Sequence, residues 1–384
     1  NASDIHIEPR ENALLVRYRI DGILHDAMSL PKSAAASVTA RVKVLANLRL
    51  DEKRMPQDGR FRMETDGDRV SFRVSVLPTY HGEKTVMRLL REDVSGFTLE
   101  SLGFHGIGLE RSHDATRKKT GLILVTGPTG SGKSTTLYTM LDILNTPDVN
   151  ISTVEDPIEY QMQRINQTQV RPDIGFTFAT GLRSLVRQDP DIIMVGEIRD
   201  RETAALAINA ALTGHLVLST LHTNSASGAV PRLLDMGVEP FLLASTLQVV
   251  IGQRLVRTLC SGAKEHKLSA SEMRGLEEKA DLGAVLKALK EESIVSGKTT
   301  WKSVPLSREN PTPECETGYS GRKGIQEVLP VSESIRKLIL DGVSSDEIEI
   351  QARKEGMLTM FEDGIFKSVA RETSLAEVLR VVSE

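Results

Sequence analysis

The run "GLILVTGPTGSGKSTTLYTML", residues 121–141, restricts the possible folds more than any other stretch of this chain. A short apolar strand leads into Gly127-Pro128-Thr129-Gly130-Ser131-Gly132-Lys133-Ser134-Thr135, and helical spacing follows at once. This is the phosphate-binding-loop pattern in the context it requires, between a strand and a helix. Its glycines let main-chain N–H groups turn toward phosphate oxygens, and the start of the helix adds free N–H groups and its dipole. Lys133 places a cation at the β- and γ-phosphates of ATP, and the Ser134 hydroxyl is the expected Mg²⁺ ligand. A strand apolar along its whole length must be covered on both faces, which points to an α/β layer structure with a mostly parallel sheet.

The segments after this loop extend that pattern. "KSTTLYTMLDIL", a helix at about 177–188 and "RETAALAINAAL" alternate with the strand-like runs "ISTVED", "DIIMVG" and "HLVLSTLH". Ligands of open α/β sheets bind at the carboxyl ends of their strands, so the residues just past each run are candidates. They are Glu155 to Glu159, Glu197, which follows Gly196 where an Asp is usual, and His222. Glu159 and Glu197 fit the two carboxylate roles of phosphoryl transfer, orienting water and supporting the metal. His222 is placed to sense a γ-phosphate, whereas His215, at the other end of its strand, reads first as structural. After Ser225 the chain reads as chiefly helical.

Upstream, residues 13–27 alternate around Asp21-Gly22 as a hairpin, a helix is expected from Pro31, and alternating runs recur at "RFRMET", "RVSFRVSVLP" and "EKTVMRLL". An Asp66-Gly67 turn is expected between the first two of these runs. Residues 1–91 therefore read as a small α+β domain and 92–112 as a linker, leaving 113–384 for the nucleotide domain.

Composition narrows the class further. A net charge of −4 and 4% aromatic residues disfavour a nucleic-acid partner, which calls for basic surface and stacking platforms. Two cysteines in 384 residues suggest a reducing compartment, and no apolar run reaches bilayer length, the longest candidate being "PFLLASTLQVVIGQ". The chain opens on "NASDIHIEPR", which reads as a fragment with its upstream part missing.

Together, "RMPQDGRF", "RVSVLPTYHGEKTVMRLL", "GPTGSGKSTT", "VEDPIEY", "DPDIIMVGEIRD", "TGHLVLSTLHTN", "QRLVRTLC", "TGYSGRKGIQEVL" and "GMLTMFEDGIFKSVARETSLAEVLRV" resemble the type II secretion and type IV pilus assembly ATPases over essentially the whole chain. The resemblance implies a RecA-like P-loop core, a small PAS-like α+β domain before it and a helical C-terminal region after it. It further implies a homohexameric motor, using ATP and Mg²⁺, on inner-membrane platform components at the cytoplasmic face. By the same resemblance Glu159 is the general base, Glu197 belongs to Walker B, and His222 ends a His box. Arg73 and Arg88 then come from the N-terminal domain to the nucleotide. Read without it, both arginines are solvated strand residues.

One feature departs from the family pattern. Assembly-type members carry a C-x-x-C pair on each side of a helical insertion and bind zinc there. This chain keeps the insertion, about residues 260–315, but holds only Cys260 and Cys315, with Ala263 and Thr312 at the other two positions. Two thiolates cannot close a tetrahedral site, and His266 leads into a polar helix, so zinc is not expected. A disulfide is not expected in a reducing compartment either. Two rivals to the motor stay open: a RecA-like nucleic-acid translocase, and a scaffold that holds ATP without splitting it.

Overall fold

The computed structural model describes residues 2–65, 68–91 and 96–383. The expected turn at 66–67 and the start of the expected linker, 92–95, lie outside the described residues. The chain divides into two compact units, residues 1–95 with 159–161, and 96–158 with 162–384.

The first unit is an antiparallel sheet of β1 (Ala2–Pro9), β2 (Ala13–Ile20), β3 (Ile23–Pro31), β4 (Gln57–Thr65), β5 (Asp68–Thr79) and β6 (Gly82–Arg91), with helix α1 (Ala35–Leu45). Strand order is β3-β2-β1-β6-β5-β4. The Asp21-Gly22 hairpin is present, both residues taking positive φ. Ile7, Leu14, Val74 and Val76 form one core with Val42 and Ala46. The alternate residues of the same strands make a charged face.

The central strand β1 was missed in the sequence because Ile5 and Ile7 alternate with Asp4, His6 and Glu8, a pattern that reads as surface. Pairing is what lets those acids sit in the middle of a sheet. Asp4 is 4% exposed, and its Oδ1 accepts from Arg88 Nε at 2.8 Å. Glu8 lies 2.8 Å from Arg17 and 2.9 Å from Lys84. Burial would raise its pKa, but those cations outweigh it and hold Glu8 at about 2.

The second unit begins with α2 (Gly106–Thr116), followed by β7 (Gly121–Thr126), α3 (Lys133–Leu144), β8 (Ile151–Glu155), β9 (Ile165–Gln169), α4 (Phe178–Leu185), β10 (Ile192–Val195), α5 (Arg201–Leu212) and β11 (Leu216–Leu221). Next come α6 (Ala229–Asp235), α7 (Pro240–Thr246), β12 (Leu247–Leu259), β13 (Lys264–Lys267), α8 (Ala270–Glu277), α9 (Leu282–Glu291), β14 (Pro305–Arg308) and β15 (Tyr319–Pro330). Four helices end the chain: α10 (Glu333–Asp341), α11 (Ser345–Lys354), α12 (Met360–Val369) and α13 (Leu375–Ser383).

Seven strands form one sheet in the order β15-β12-β7-β11-β10-β8-β9. All are parallel to their neighbours except β15, which runs antiparallel to β12. Every residue of β7, β8, β10 and β11 is buried, as a sheet covered on both faces requires.

The C-terminal part is chiefly helical, as expected, but two long strands run through it. "PFLLASTLQVVIGQ" turns out to be the helix α7 followed by the first half of β12. At 13 residues β12 is about twice as long as β7. Its first half, Leu247–Gly252, pairs with β7, and its second half continues beyond that strand along β15. There Val256 and Ile325 join Val285, Leu289, Leu306, Phe361, Ile365, Phe366 and Val378 in a second core. Helix α12 is buried at all ten positions, so its charges must be paired. The Lys367 ammonium donates to Asp363 at 2.5 Å and to the Gly324 carbonyl at 2.8 Å. His105 stacks on Phe366 and also bonds Asp363 and Glu292, which raises its pKa to about 9 in spite of burial.

The cysteines require a correction. Leu259, at the end of β12, pairs with Tyr319 at the start of β15, and the Cys260 N–H donates to the Gly318 carbonyl. This paired stem sets Cys260 and Cys315 with Cα atoms 6.7 Å apart, and they form a disulfide that closes the insertion at its base. The compartment argument from a count of two cysteines could not register that both flank one β stem. His266 bonds Glu272 instead. Disulfides closing loops of this size contribute about 2–4 kcal/mol. Cys260→Ser with Cys315→Ser should therefore lower the unfolding free energy by about that amount. Equal denaturation midpoints with and without reductant would contradict the bond.

Candidate nucleotide site

Local chemistry explains the phosphate loop. Gly127, Gly130 and Gly132 have φ of 146°, 81° and 88°, a region closed to most side chains. At Gly127 a Cβ would lie 2.3 Å from the Gln253 carbonyl oxygen, and at Gly132 it would lie 2.7 Å from Gln253 Nε2. The loop is thus pressed onto β12, and Gln253 braces it. Its Nε2 donates to the Ser131 carbonyl at 2.8 Å, and its Oε1 accepts from the Thr136 hydroxyl at 2.7 Å. Gln253 was missed as a site residue in the sequence. The signal was there in "QRLVRTLC", but its role depends on β12 lying beside β7.

Lys133 opens α3 with its side chain turned back over the loop, donating to the Gly127 and Pro128 carbonyls at 2.9 Å each. Burial lowers its pKa, and the nearby Glu197 charge opposes that shift. Ser131 Oγ is buried without a hydrogen-bond partner, which marks a donor available to an incoming oxyanion. Ser134 is exposed in the first turn of α3.

The carboxyl ends of the strands come into line. Leu221 pairs with Thr126, and Val195 pairs with both Ser219 and Val154. Just beyond, Glu197 is 8% exposed. Its Oε2 lies 2.6 Å from Arg199 Nε and 3.4 Å from His222 Nε2. Lys133, Ser134, Glu197 and His222 therefore share one edge of the sheet. His215 is at the opposite end of β11, bonded to the Ala210 carbonyl at 2.9 Å.

Glu155 is also excluded from solvent, at 3%, and is held by Tyr138, Thr153 and Gln167. Its carboxylate is thus engaged inside the sheet. Glu159 lies four residues past the end of β8, half-buried, in the short segment 159–161 that belongs to the first unit.

Within the first unit, Arg73 and Arg88 face each other across β5 and β6, and Arg73 also pairs with Arg60 on β4. Like charges directly opposite repel, so a row of three arginines is a costly arrangement for a sheet. The buried Asp4 offsets part of that charge through Arg88. Arg60 was missed because its place in the row follows from strand register.

The residues present suit a nucleoside triphosphate and its metal. The glycine cradle and the orphaned Ser131 hydroxyl match phosphate oxygens. Mg²⁺ needs few protein ligands when phosphates and water supply the rest, so one hydroxyl, Ser134, with Glu197 nearby is a sufficient donor set. Among the described residues no cluster of three or more His, Cys, Asp or Glu could hold a metal ion, and no helix is long and apolar enough to cross a membrane.

A phosphate loop at the carboxyl edge of this mostly parallel sheet defines a P-loop NTPase core of the RecA-like class. Over residues 1–380 the chain matches the family described as "Type II/IV secretion system protein", and it belongs to that family. It is 48% identical over its full length to the type II secretion system protein E of Xanthomonas campestris pv. campestris, of which it covers 65%. It is 47% identical over 99% of its length to the type IV pilus assembly ATPase PilB of Thermus thermophilus, covering 41% of that protein. The chain thus spans less than two thirds of either relative. Among solved structures, the pilus retraction motor PilT with bound ADP superposes with a TM-score of 0.63 at 26% identity, covering 99% of this chain and 93% of that one.

Proposed function

We propose that this chain is the motor portion of an ATPase that hydrolyses MgATP as a homohexamer and powers assembly of a type IV pilus or a type II secretion pseudopilus. The observation that carries the proposal is the convergence of Lys133, Glu197 and His222 on the phosphate-loop edge of one sheet. The printed names of the relatives, a secretion system protein E and a pilus assembly ATPase, support the kind of work.

In this reading the loop Gly127–Thr135 binds the phosphates, with Lys133 at the β- and γ-phosphates and Ser134 on Mg²⁺. The bound Mg²⁺ supplies charge neutralisation for phosphoryl transfer. Glu159 accepts the proton of the attacking water, Glu197 supports the metal and its water shell, and His222 senses the γ-phosphate. Arg73 and Arg88, with Arg60 in the same row, neutralise charge that develops on the γ-phosphate as arginine fingers do. Residues 1–91 act as a domain whose movement follows the nucleotide cycle of the phosphate-loop domain. The machine that uses this work sits at the cytoplasmic face of the inner membrane.

Phosphate release from MgATP by the purified chain, followed across its oligomeric fractions, tests the proposal. Turnover confined to the hexameric fraction and indifferent to added nucleic acid is expected. Stimulation by DNA or RNA would favour a translocase, and tightly held nucleotide with no phosphate release would favour a scaffold. Arg73→Ala and Arg88→Ala should each lower turnover about 10²- to 10³-fold with nucleotide still bound. Unchanged turnover in both would reject the arginine assignment.

A further inference from the structure

We propose that Glu327 is a positioning residue for the His222 loop, holding the segment after β11 in place beneath the phosphate loop and tying it to the start of α12. The proposal rests on the nucleotide role given above to His222.

Three residues on adjacent strands make the arrangement. Thr126, the last residue of β7, pairs with Gly252 on β12, and Gly252 pairs with Glu327 on β15. Glu327 is 5% exposed, and its side chain lies over Gly252. A Cβ at Gly252 would meet Glu327 Cγ at 2.7 Å, its Oε1 at 2.8 Å and the Ala226 nitrogen at 3.1 Å. Only glycine leaves this path open. Across it, Oε1 accepts from the Ala226 N–H at 2.5 Å, and Oε2 accepts from the Met360 N–H at 3.3 Å. Burial, with Glu349 and Glu362 nearby, raises the Glu327 pKa to about 7 against the pull of those two N–H groups.

The loop is therefore held at both ends. Immediately after His222, the Thr223 N–H donates to Thr126 Oγ1 at 2.9 Å, and three residues later Ala226 is held by Glu327. Between them the Thr223 hydroxyl donates to the Ser225 carbonyl at 2.9 Å, so the segment has little freedom of its own. Where this short loop sits sets where His222 stands against Glu197. The second carboxylate oxygen links the same point to Met360, the first residue of α12, whose Asp363 bonds His105 in the segment leading into α2. An apolar residue would fill this place at lower electrostatic cost. What the carboxylate adds is a bond to each of two backbone segments.

The test is a mutant cycle on the full chain, measuring MgATP turnover, affinity for a fluorescent ADP analogue and melting temperature. In Glu327→Gln the amide places a donor against one of the two N–H groups. Turnover is expected to fall at least about 10-fold, with ADP affinity within about 3-fold of the parent. Gly252→Ala, which keeps Glu327 but blocks its path, should give the same signature. Because Glu327 acts through His222, adding Glu327→Gln to His222→Ala should cost less than about 2-fold more. If both losses multiply in the double variant, Glu327 has only a structural role and the inference is overturned. It is equally overturned if His222→Ala is impaired while Glu327→Gln and Gly252→Ala turn over like the parent. An unimpaired His222→Ala would remove the role of His222 and this inference with it, leaving the rest of the site intact. A parent chain that releases no phosphate would overturn the functional reading itself.

Discussion

Lys133→Ala should reduce MgATP turnover by about 10³-fold or more, the largest effect expected of any single side chain here. Lys133 is 9% exposed, and its ammonium donates to the Gly127 and Pro128 carbonyls of the loop. In the nucleotide complex those donors are expected to move to phosphate oxygens. The substitution also leaves two loop carbonyls without a donor, at about 1–3 kcal/mol. Melting temperature must therefore be followed beside turnover, so that loss of chemistry is separated from loss of fold. A folded variant that hydrolyses ATP within about 3-fold of the parent would sink the assignment of the loop.

Glu159→Gln is expected to lower turnover by about 10²- to 10⁴-fold, the range for removing a general base, while ATP stays bound. The change keeps shape and hydrogen-bonding capacity and removes only the basic oxygen. Single-turnover measurement discriminates here: bound ATP should persist for many parent turnover times. Near-parent hydrolysis would reassign the base to another carboxylate. Glu155 is a poor substitute, since its oxygens are already engaged by Tyr138, Thr153 and Gln167 inside the sheet.

The core of this fold was legible in the sequence because its signals are local. The strand and helix of "LILVTG" and "KSTTLYTMLDIL" fall at Gly121–Thr126 and Lys133–Leu144, where apolar run, glycine loop and helical period all agree. The strand-end residues Glu197 and His222 were legible for the same reason, since a parallel sheet collects the residues that follow its strands. Other elements needed partners distant in sequence. β1 reads as polar surface until Arg88, Arg17 and Lys84 are set beside Asp4 and Glu8. β12 reads as part of a chiefly helical region until β7 on one side and β15 on the other pair with it.

Local patterning thus decided, from the sequence alone, that this chain carries a phosphate loop on an α/β sheet, which strand ends bear its carboxylate and histidine, and where the hairpin of its N-terminal unit turns. Only tertiary structure decided which side chains meet. Gln253 under the loop, Glu327 reaching Ala226 across Gly252, the row Arg60, Arg73 and Arg88 within the first unit, and the Cys260–Cys315 bond at the base of the insertion all depend on strand register. Register is a property of pairs of strands tens of residues apart, set by which apolar faces must be buried together. No single window of the sequence contains it.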